Sequence, residues 1–427
     1  MNTIFLGVFI TALVAIAMPL GFAIILAGLM VIWIDGGINP VIVAQRVYAG
    51  MNSFSLLAIP FFLLAGSLMS ASGMTRRLID FANALVGRHP GGLAMSNITA
   101  STFFGGISGS AVADTSMLGR IFIPEMKRLG YSGSFSAAVT AASSVVAPII
   151  PPSIAFIVYG VITEQSITRL FIAGIGPGIL YTLAALILTA ILARRRNFPV
   201  HQVSSFREML RAGFSAAPAL MMPVLILIGI FGGIFTITEA SAVAALYALF
   251  VGTVVYRELT VAGILAAMRE TAETTAAIMI IVGAAQLFAW ILAYAQIPRM
   301  AVDAISTIGA NPLLFLLLVN LLLLIVGTFM EANAAMVMLV PILHPAAMAL
   351  GIDETQFGVI VVVNLCLGLI TPPIGLCLNV ACKIGNVPLE KSLPDVIPFL
   401  GVGVLLLVAL SLFPSLTLII PSLFYGS

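Results

Sequence analysis

Residues 97–159 read NITASTFFGGISGSAVADTSMLGRIFIPEMKRLGYSGSFSAAVTAASSVVAPIIPPSIAFIVY, and a degenerate copy of this stretch lies further along the chain. Adding 221 to a landmark's number gives its match, as for Gly106 with Gly327 and for Pro151-Pro152 with Pro372-Pro373. Each copy holds a polar break with glycine and, after roughly forty residues, a double-proline break. The sequence therefore predicts two repeats with corresponding interruptions.

Composition places the chain in a membrane. Hydrophobic residues make up 61% of it and charged residues only 8%, against roughly 25% charged in soluble domains. The apolar runs suit spanning helices of about 20 residues and lack the alternation of barrel strands. The start, MNTIFLGV, has no basic region, so we expect no cleaved signal peptide. We predict an all-α polytopic membrane protein that anchors itself.

The first half begins with an apolar run, Ile4–Ile34, that contains Pro19 and forms either one long kinked helix or two short ones. The segment Pro40–Asn52 is mildly amphipathic and suits an arm helix in the membrane interface. A crossing over Phe54–Ser72 follows. An excess of basic residues marks its end as cytoplasmic: Arg76, Arg77 and Arg88.

The next segment predicts a re-entrant hairpin. A second basic cluster, Arg120 to Arg128, also marks the cytoplasmic side, only about thirty residues after Arg88. Between them lie two apolar halves that we expect to be too short to span, Leu93–Phe104 and Ala111–Phe122, joined by GGISGS. Non-helical backbone at this depth is tolerated only where it is buried in protein or lines a watery cavity. The hairpin tip is therefore a candidate site.

The remaining elements follow the same reasoning. In the first half we expect a broken helix over Ser134–Ile162, interrupted at Pro148–Pro152, and a crossing over Leu170–Ala193 that returns to Arg194–Arg196. The polar stretch Asn197–Arg211 divides the halves. In the second half the expected elements are crossings at Ser215–Phe235, Ala240–Tyr256 and Thr274–Ala295, an arm at Arg257–Glu273, a hairpin from Leu313–Ile325 and Ala334–Leu343, a broken helix over Phe357–Lys383 and a last crossing, Val396–Leu423.

Charge predicts how the repeats are oriented. Six basic residues surround the first hairpin, while the matching positions around the second offer only Arg299. Equivalent loops with opposite basic loading lie on opposite sides of a membrane, so the repeats should be inverted. We divide the chain into a first repeat (1–196, hairpin about 91–122, broken helix about 134–162), a cytoplasmic connection (197–214) and a second repeat (215–427, hairpin about 313–343, broken helix about 357–385).

Inverted repeats bring both tips and both proline breaks to mid-membrane, the usual place of a transporter's binding site. The polar groups available there are Ser108, Ser110, Asp114, Thr115, Ser116, Ser143, Ser144 and Ser153 in the first half and Thr328, Glu331, Asn333, Asn364, Thr371 and Asn379 in the second. Asp114 and Glu331 are costly at this depth and need partners or water. Two alternatives stay open: Ser116, Ser143 and Ser144 mediate only helix packing, and the two acids only cap helices.

No enzyme or metal-cluster pattern is visible. The three cysteines, Cys366, Cys377 and Cys382, lack paired spacing and suit small buried hydrophobic positions. The three histidines are scattered near probable membrane boundaries. Because the breaks supply hydroxyl and carbonyl oxygens, sodium is a better candidate ion than a transition metal.

Four motifs in order resemble the large membrane subunit of tripartite ATP-independent periplasmic (TRAP) transporters, over essentially the whole chain. They are GGISGSAVADTSMLGRIFIPEMKRLGY, APIIPPS, GTFMEANAAMVMLVPILHP and GLITPPIGLCLN. The resemblance implies a bacterial inner-membrane secondary transporter of the ion-transporter superfamily. Hairpins and broken helices would form a moving transport domain beside a scaffold, in a sodium-driven elevator mechanism.

The resemblance also implies partners and sites. The expected partners are a separate small four-helix membrane subunit, a periplasmic binding protein, an organic acid of C4-dicarboxylate or sialic acid type and the lipid bilayer, with no nucleic acid. The residues implied for sodium are Gly105, Ser108, Pro148, Gly327, Thr328, Thr371 and Gly375, and those for substrate are Ser110, Asp114, Ser153, Glu331, Asn333 and Asn379. A self-sufficient sodium/dicarboxylate carrier of the same superfamily is the alternative.

Overall fold

The computed structural model describes residues 18–36, 38–198, 205–297, 299–300 and 311–425. These ranges form α-helices and contain no β-strand. In chain order the helices are α1 (Leu20–Asp35), α2 (Val41–Met51), α3 (Ala58–Ala71), α4 (Met74–Val86), α5 (Gly92–Ser108), α6 (Ala111–Arg128), α7 (Gly133–Ser144), α8 (Ile154–Thr163), α9 (Ile167–Arg195), α10 (Phe206–Phe231), α11 (Ile237–Phe250), α12 (Val261–Tyr294), α13 (Pro312–Phe329), α14 (Ala332–Ala349), α15 (Glu354–Gly368), α16 (Leu376–Gly385), α17 (Leu389–Leu412) and α18 (Ser415–Tyr425).

The described part of the chain contains eight helical segments long and apolar enough to cross a membrane. They are Phe54–Ala71, Ile167–Arg195, Phe206–Phe231, Ile237–Val255, Val261–Tyr294, Pro312–Phe329, Ala332–Ala349 and Leu389–Leu412. The prediction of a polytopic all-α membrane protein is thus confirmed. Residues 4–17 of the first apolar run lie outside the described residues. The question whether this run forms one kinked helix or two short ones therefore concerns residues that the structure does not describe.

Three predicted boundaries were wrong. The second arm and the crossing after it form one 34-residue helix, α12, because no proline interrupts it. The last crossing ends at Leu412, since Pro414 has no N–H to continue the ladder, and a separate helix α18 follows. Helix α10 begins at Phe206, inside the predicted connection 197–214, where Ser205 and Glu208 form a capping box.

The hairpin arms are longer than predicted. Helices α5 and α6 have 17 and 18 residues instead of twelve each, and α13 and α14 have 18 each. A helix of this length reaches about 27 Å, close to the thickness of the hydrocarbon core. The arms of the second hairpin are among the candidate spans and those of the first hairpin are not, so the prediction that the first pair does not cross stays a prediction. The hairpin shape of both pairs comes from two-residue connections, Gly109-Ser110 and Met330-Glu331, whose tips pack on the breaks.

Both broken helices occur. Helix α7 ends at Ser144 and α8 starts at Ile154, while α15 ends at Gly368 and α16 starts at Leu376. We name the intervening residues 145–153 break 1 and residues 369–375 break 2. Each break contains a proline pair whose residues donate no backbone hydrogen bond, so the helical ladder cannot pass through it.

The open ends of the two hairpins lie at opposite ends of the first broken helix. Lys127, at the end of the first hairpin, donates to the Gly385 carbonyl at 2.8 Å, and Gly133 at the start of α7 touches Val387. At the far end, beyond α8, the Gln165 amide nitrogen lies 2.8 Å from the ring of His344 in α14. The hairpins thus enter from opposite ends, as inverted repeats require. The inverted repeat itself stays a prediction that this geometry supports.

The other helices pack into a second group. Helix α3 lies against α11 and α12, α4 against α10, and α1 and α2 against α12. The first hairpin tip meets this group at two places: Gly66 of α3 faces the Ile107 carbonyl, and Pro223 of α10 lies beside Gly106. The arm predicted at Pro40–Asn52 is observed as helix α2.

Candidate functional site

The first hairpin tip rests on break 1 through three glycines. A Cβ on Gly105 would lie 2.7 Å from the Ala147 Cα, and one on Gly106 3.3 Å from the Pro151 carbonyl oxygen. Gly109 ends α5 with φ of +58° and comes within similar reach of the Pro152 carbonyl. Only residues without a side chain allow two backbones to approach this closely. The tip and break 1 therefore form one backbone-lined site.

Serine hydroxyls complete the first site. Ser110 caps α6 by accepting from the Ala113 N–H, and its own N–H points to the Ser108 hydroxyl at 3.5 Å. Ser153 caps α8 by accepting from the Phe156 N–H, and its hydroxyl donates to the Pro148 carbonyl. The predicted residues Gly105, Ser108, Pro148 and Ser153 thus belong to the same tip-and-break assembly.

The second hairpin meets break 2 in the same way. A Cβ on Gly327 would lie 3.0 Å from the Gly368 Cα, and the Gly375 N–H donates to the Thr328 carbonyl at 3.2 Å. Gly375 has φ of +46°, which favours glycine. The Thr371 hydroxyl donates to the Leu367 carbonyl at 2.8 Å. The predicted residues of the second half therefore also converge on one tip and one break.

Asp114 lies in a buried polar network of the first half. One carboxylate oxygen accepts from the Ser101 hydroxyl at 2.8 Å, and Ser101 also contacts Ser143 at 3.0 Å. The other oxygen has no hydrogen-bond partner among the described residues. Ser110, not Asp114, caps the helix, so the capping alternative was wrong for Asp114. A second bond, from Thr115 to Ser144 at 2.6 Å, extends the polar cluster.

Glu331 is the cap of the second hairpin. It accepts from the Asn333 N–H at 2.9 Å and the Ala334 N–H at 3.2 Å, and the Asn333 amide donates to its other oxygen at 2.8 Å. Glu331 is thus the N-cap of α14, and that it serves only as a cap stays a prediction. Asn379 lies in the first turn of α16, where its N–H donates to the Gly375 carbonyl. The substrate residues predicted in the second half therefore lie around one tip and the start of α16.

Cys377 connects the two half-sites. It is fully buried at the start of α16, its thiol interacts with the hydroxyls of Thr115 and Ser144, and it is close enough to both Asp114 and Glu331 to interact electrostatically. The first hairpin also packs on α16, and the second hairpin packs on α8. Each hairpin thus touches its own break and the outgoing half-helix of the other repeat.

Sequence reasoning missed four residues of this region: Asn97, Ser101, Asn320 and Cys377. Ser101 and the two asparagines lie within the hairpin arms rather than at the breaks. Their signal was a polar side chain within an apolar helix, some turns before the tip, which we did not single out from the sequence. Cys377 had been assigned to a small buried hydrophobic position, and its burial agrees with that, although its neighbours are polar.

The donor set at both breaks consists of oxygen atoms. Main-chain carbonyls freed by the prolines and hydroxyls such as Ser108 and Thr371 lie there, and hard cations prefer such ligands. In the described part of the chain, no group of three or more His, Cys, Asp or Glu residues could hold a metal ion. The chemistry of the site fits a weakly bound alkali cation better than a transition metal.

Comparison with known proteins gives a family. The family model described as "Tripartite ATP-independent periplasmic transporter, DctM component" matches residues 6–416. The sialic acid TRAP transporter large permease protein SiaM of Vibrio cholerae is 42% identical, over 96% of this chain and 96% of its own length. The C4-dicarboxylate TRAP transporter large permease protein DctM of Pseudomonas aeruginosa is 40% identical, over 89% of both chains.

A third relative and a solved structure complete the comparison. The 2,3-diketo-L-gulonate TRAP transporter large permease protein YiaN of Escherichia coli is 39% identical over 97% of this chain and 98% of its own length. The crystal structure of the Alcanivorax borkumensis YdaH transporter aligns with a TM-score of 0.61 at 15% identity, over 86% of this chain and 87% of that chain. This last likeness concerns the fold alone.

Proposed function

Since the chain belongs to the DctM family of TRAP transporter components and is a large permease of the bacterial inner membrane, we propose that it imports an organic acid together with sodium ions. The observation that carries the proposal is the meeting of two glycine tips with two proline breaks. Freed carbonyls at such breaks suit cations, and half-helix N-termini suit anions. A cation-coupled acid transporter needs both kinds of site side by side.

The proposed sodium sites use the oxygen atoms of the two assemblies. The first involves Gly105, Ser108 and Pro148, and the second involves Gly327, Thr328, Thr371 and Gly375. What supports them is the close approach of each tip to its own break and the hydroxyl and carbonyl oxygens that lie there. Sodium is here a transported ion rather than a resident cofactor.

The substrate carboxylate is proposed to lie between the tips, near Ser110, Ser153, Asn333 and Asn379. The N-termini of α8 and α16 supply backbone N–H groups there, which favour an anion. A sodium ion bound first would supply the positive charge that a carboxylate needs beside the acids Asp114 and Glu331. This order of binding makes uptake of the acid depend on sodium.

The substrate class follows the relatives. Their names give sialic acid, a C4-dicarboxylate and 2,3-diketo-L-gulonate as transported acids. We favour a monocarboxylic sugar acid of the sialic acid type or a C4-dicarboxylate as the substrate. A periplasmic binding protein would deliver it, and a small membrane subunit would form the transporter together with this chain. Transport would proceed by movement of the hairpins and broken helices against the group formed by α3, α4 and α10 to α12.

Uptake into proteoliposomes tests the proposal. The chain and its small partner are reconstituted under an inward sodium gradient, and labelled sialic acid and dicarboxylates are supplied with and without their binding proteins. Uptake that requires both sodium and the binding protein supports the hypothesis of a tripartite, sodium-coupled transporter. Sodium-driven uptake without the binding protein supports a self-sufficient carrier instead, and uptake independent of sodium refutes the coupling.

Two conservative variants test the ion sites. Ser108→Ala removes one hydroxyl at the first tip and Thr371→Val removes one at break 2. We expect each variant to raise the sodium concentration for half-maximal uptake about tenfold, because a lost ligand costs on the order of 1.4 kcal/mol. Thr253→Val is the matched control, because the Thr253 hydroxyl donates to the carbonyl of Leu249 in α11 just as the Thr371 hydroxyl donates to that of Leu367. An unchanged sodium dependence in both site variants contradicts the placement.

A further inference from the structure

A buried amide joins the first hairpin to its own broken helix. The Asn97 side chain, in α5, donates to the hydroxyl of Thr140, in α7, at 2.7 Å. Both residues are enclosed, with 0% and 1% of their surfaces exposed. Thr140 donates in turn to the Ser136 carbonyl at 2.8 Å, so its hydroxyl is oriented to accept from Asn97. This bond lies well away from the tip.

A second buried amide does the same in the other half. The Asn364 side chain, in α15, donates to the side-chain oxygen of Asn320, in α13, at 2.8 Å and to its carbonyl at 3.0 Å. The Asn320 amide then donates to Ser411 of α17 at 2.9 Å. The Asn97–Thr140 and Asn364–Asn320 bonds each join the first helix of a hairpin to the first half of that hairpin's broken helix. The two pairs thus join corresponding helices, although at the offset of 221 Asn97 and Thr140 match Leu318 and Val361.

Each hairpin arm therefore meets its broken helix both at a glycine contact and at an amide, and in the first half the Ser101–Ser143 hydrogen bond lies between these two contacts. Asn97 and Gly105 are eight residues apart, or about 12 Å along the helix, and Asn320 and Gly327 are seven apart. The glycine contact brings the two backbones together at the break. The amide, farther from the tip, fixes the rotation of the arm about its axis and its position along that axis. Two fixed points on one helix define its register against the other.

Stability alone does not explain the asparagines. The amide oxygens of Asn97 and Asn364 are buried and have no hydrogen-bond partner among the described residues. A buried acceptor without a partner costs free energy, whereas an aliphatic side chain of similar size would pack without that cost. A single buried asparagine is, however, an effective way to specify register between apolar helices.

We propose that Asn97 and Asn320 are positioning residues that set the register of the two hairpins on their broken helices and so hold the ion sites in shape. The proposal rests on the proposed sodium coupling. Neither residue touches an ion in it. Each acts through the tip glycine of its own arm, which an axial shift of about 1.5 Å, one residue's rise, would move off the break.

The test is the sodium dependence of uptake in Asn97→Leu, Asn320→Leu and Thr140→Val. Thr140→Val keeps the shape of the side chain and removes only the acceptor, so it covers the case in which Asn97→Leu fails to fold. We expect the sodium concentration for half-maximal uptake to rise at least fivefold. At saturating sodium, the substrate concentration for half-maximal uptake should change less than about twofold, because register affects the ion sites first.

The control is Thr102→Val. Thr102 lies on the same helix as Asn97, but its hydroxyl pairs with Thr182 of α9 at 3.1 Å and not with the broken helix. This variant should leave the sodium dependence unchanged. The exchanged pair Asn97→Thr with Thr140→Asn restores a bond between the same helices and should bring the sodium dependence back to within about threefold of the natural chain.

A thermal measurement separates positioning from a merely structural role. Sodium should raise the melting temperature of the purified natural chain, and Asn97→Leu and Asn320→Leu should reduce that sodium-dependent rise. If both variants fold and keep the sodium dependence of the natural chain, or if Thr102→Val shifts it equally, the inference is overturned. If the natural chain itself shows no sodium dependence, the proposed function fails instead.

Discussion

In the first half of the chain the break between α7 and α8 is enclosed, whereas in the second half the break between α15 and α16 reaches the surface. All residues of break 1 except Ile150 are buried. In the second half Phe329 at the tip is 55% exposed and Ile374 in break 2 is 38% exposed. The same layout of tip and break therefore occurs in two different surroundings.

The acids Asp114 and Glu331 also differ in burial, and the more buried one lies in the first half. Asp114 is fully buried and receives one side-chain hydrogen bond, from Ser101. Glu331 is half-buried and receives three bonds from its own helix start. The two halves therefore share a layout of tip and break and differ in the surroundings of their side chains. We expect the enclosed half to respond more strongly to a change in shape and the open half to exchange ligands more readily.

Alanine at the tip glycines should give the largest effect. In Gly105→Ala the new Cβ would lie 2.7 Å from the Ala147 backbone, and in Gly327→Ala it would lie 3.0 Å from the Gly368 backbone. A displacement of about 1 Å in a site costs on the order of 100-fold in rate, so we expect that loss for Gly105→Ala and about tenfold for Gly327→Ala. Uptake into proteoliposomes measures it. Gly401→Ala, where nothing lies within 4 Å, is the control, and equal losses in the two halves would contradict the comparison.

Neutral replacements of the two acids should shift stability in opposite directions. Asp114→Asn removes a buried acid that lacks a cationic partner among the described residues, so we expect a gain of about 1–2 kcal/mol. Glu331→Gln weakens a helix cap and should cost about 1 kcal/mol. Thermal unfolding in detergent without sodium measures both. Shifts of the same sign would show that the two acids have equivalent surroundings.

Cysteine labelling should distinguish the two breaks directly. Ser153 and Ile374 occupy corresponding positions at the offset of 221, yet Ser153 is 0% exposed. We expect a small thiol reagent to label Ile374→Cys at least about tenfold faster than Ser153→Cys, because local opening has to precede reaction at the enclosed site. The three native cysteines are buried and provide the background rate. Equal labelling rates would mean that break 1 opens as readily as break 2.

Helix caps along the first broken helix should give the smallest effect. Ser132 caps α7 at the exposed end and Ser153 caps α8 at break 1. Replacing either serine with alanine should cost about 1 kcal/mol of stability. Only Ser153→Ala should also change the sodium dependence of uptake, since only Ser153 contacts the Pro148 carbonyl. A sodium effect in Ser132→Ala as well would mean that the cap acts through general stability.

Prediction from sequence was accurate where a residue type restricts the conformation or the hydrogen bonding of the backbone. The proline pairs marked both breaks, and Gly106 and Gly327 marked both tips, because proline removes donors and glycine permits close approach. Helix ends were less accurate: α12 joined two predicted elements, and α10 began inside the predicted connection. Apolar periodicity says little about boundaries when almost every residue is apolar.

Partnerships between distant side chains were not predictable. Asn97 with Thr140 and Asn320 with Asn364 meet only after the hairpin has folded onto its broken helix. Cys377 looked like an ordinary buried residue, and only packing brings its thiol beside Thr115 and Ser144. The roles of Asp114 and Glu331 looked equivalent in sequence, and the structure made one a network member and the other a cap.

The sequence by itself determined that this is a helical membrane protein with two polar glycine breaks and two proline breaks, because hydrophobicity, glycine and proline act locally. It also placed the candidate residues at the interruptions. Only the tertiary structure decided which polar groups meet, which break is enclosed and where each hairpin is fixed. Those properties depend on contacts between segments far apart in the chain, and the packing of apolar helices sets them through a few buried polar atoms and close glycine contacts.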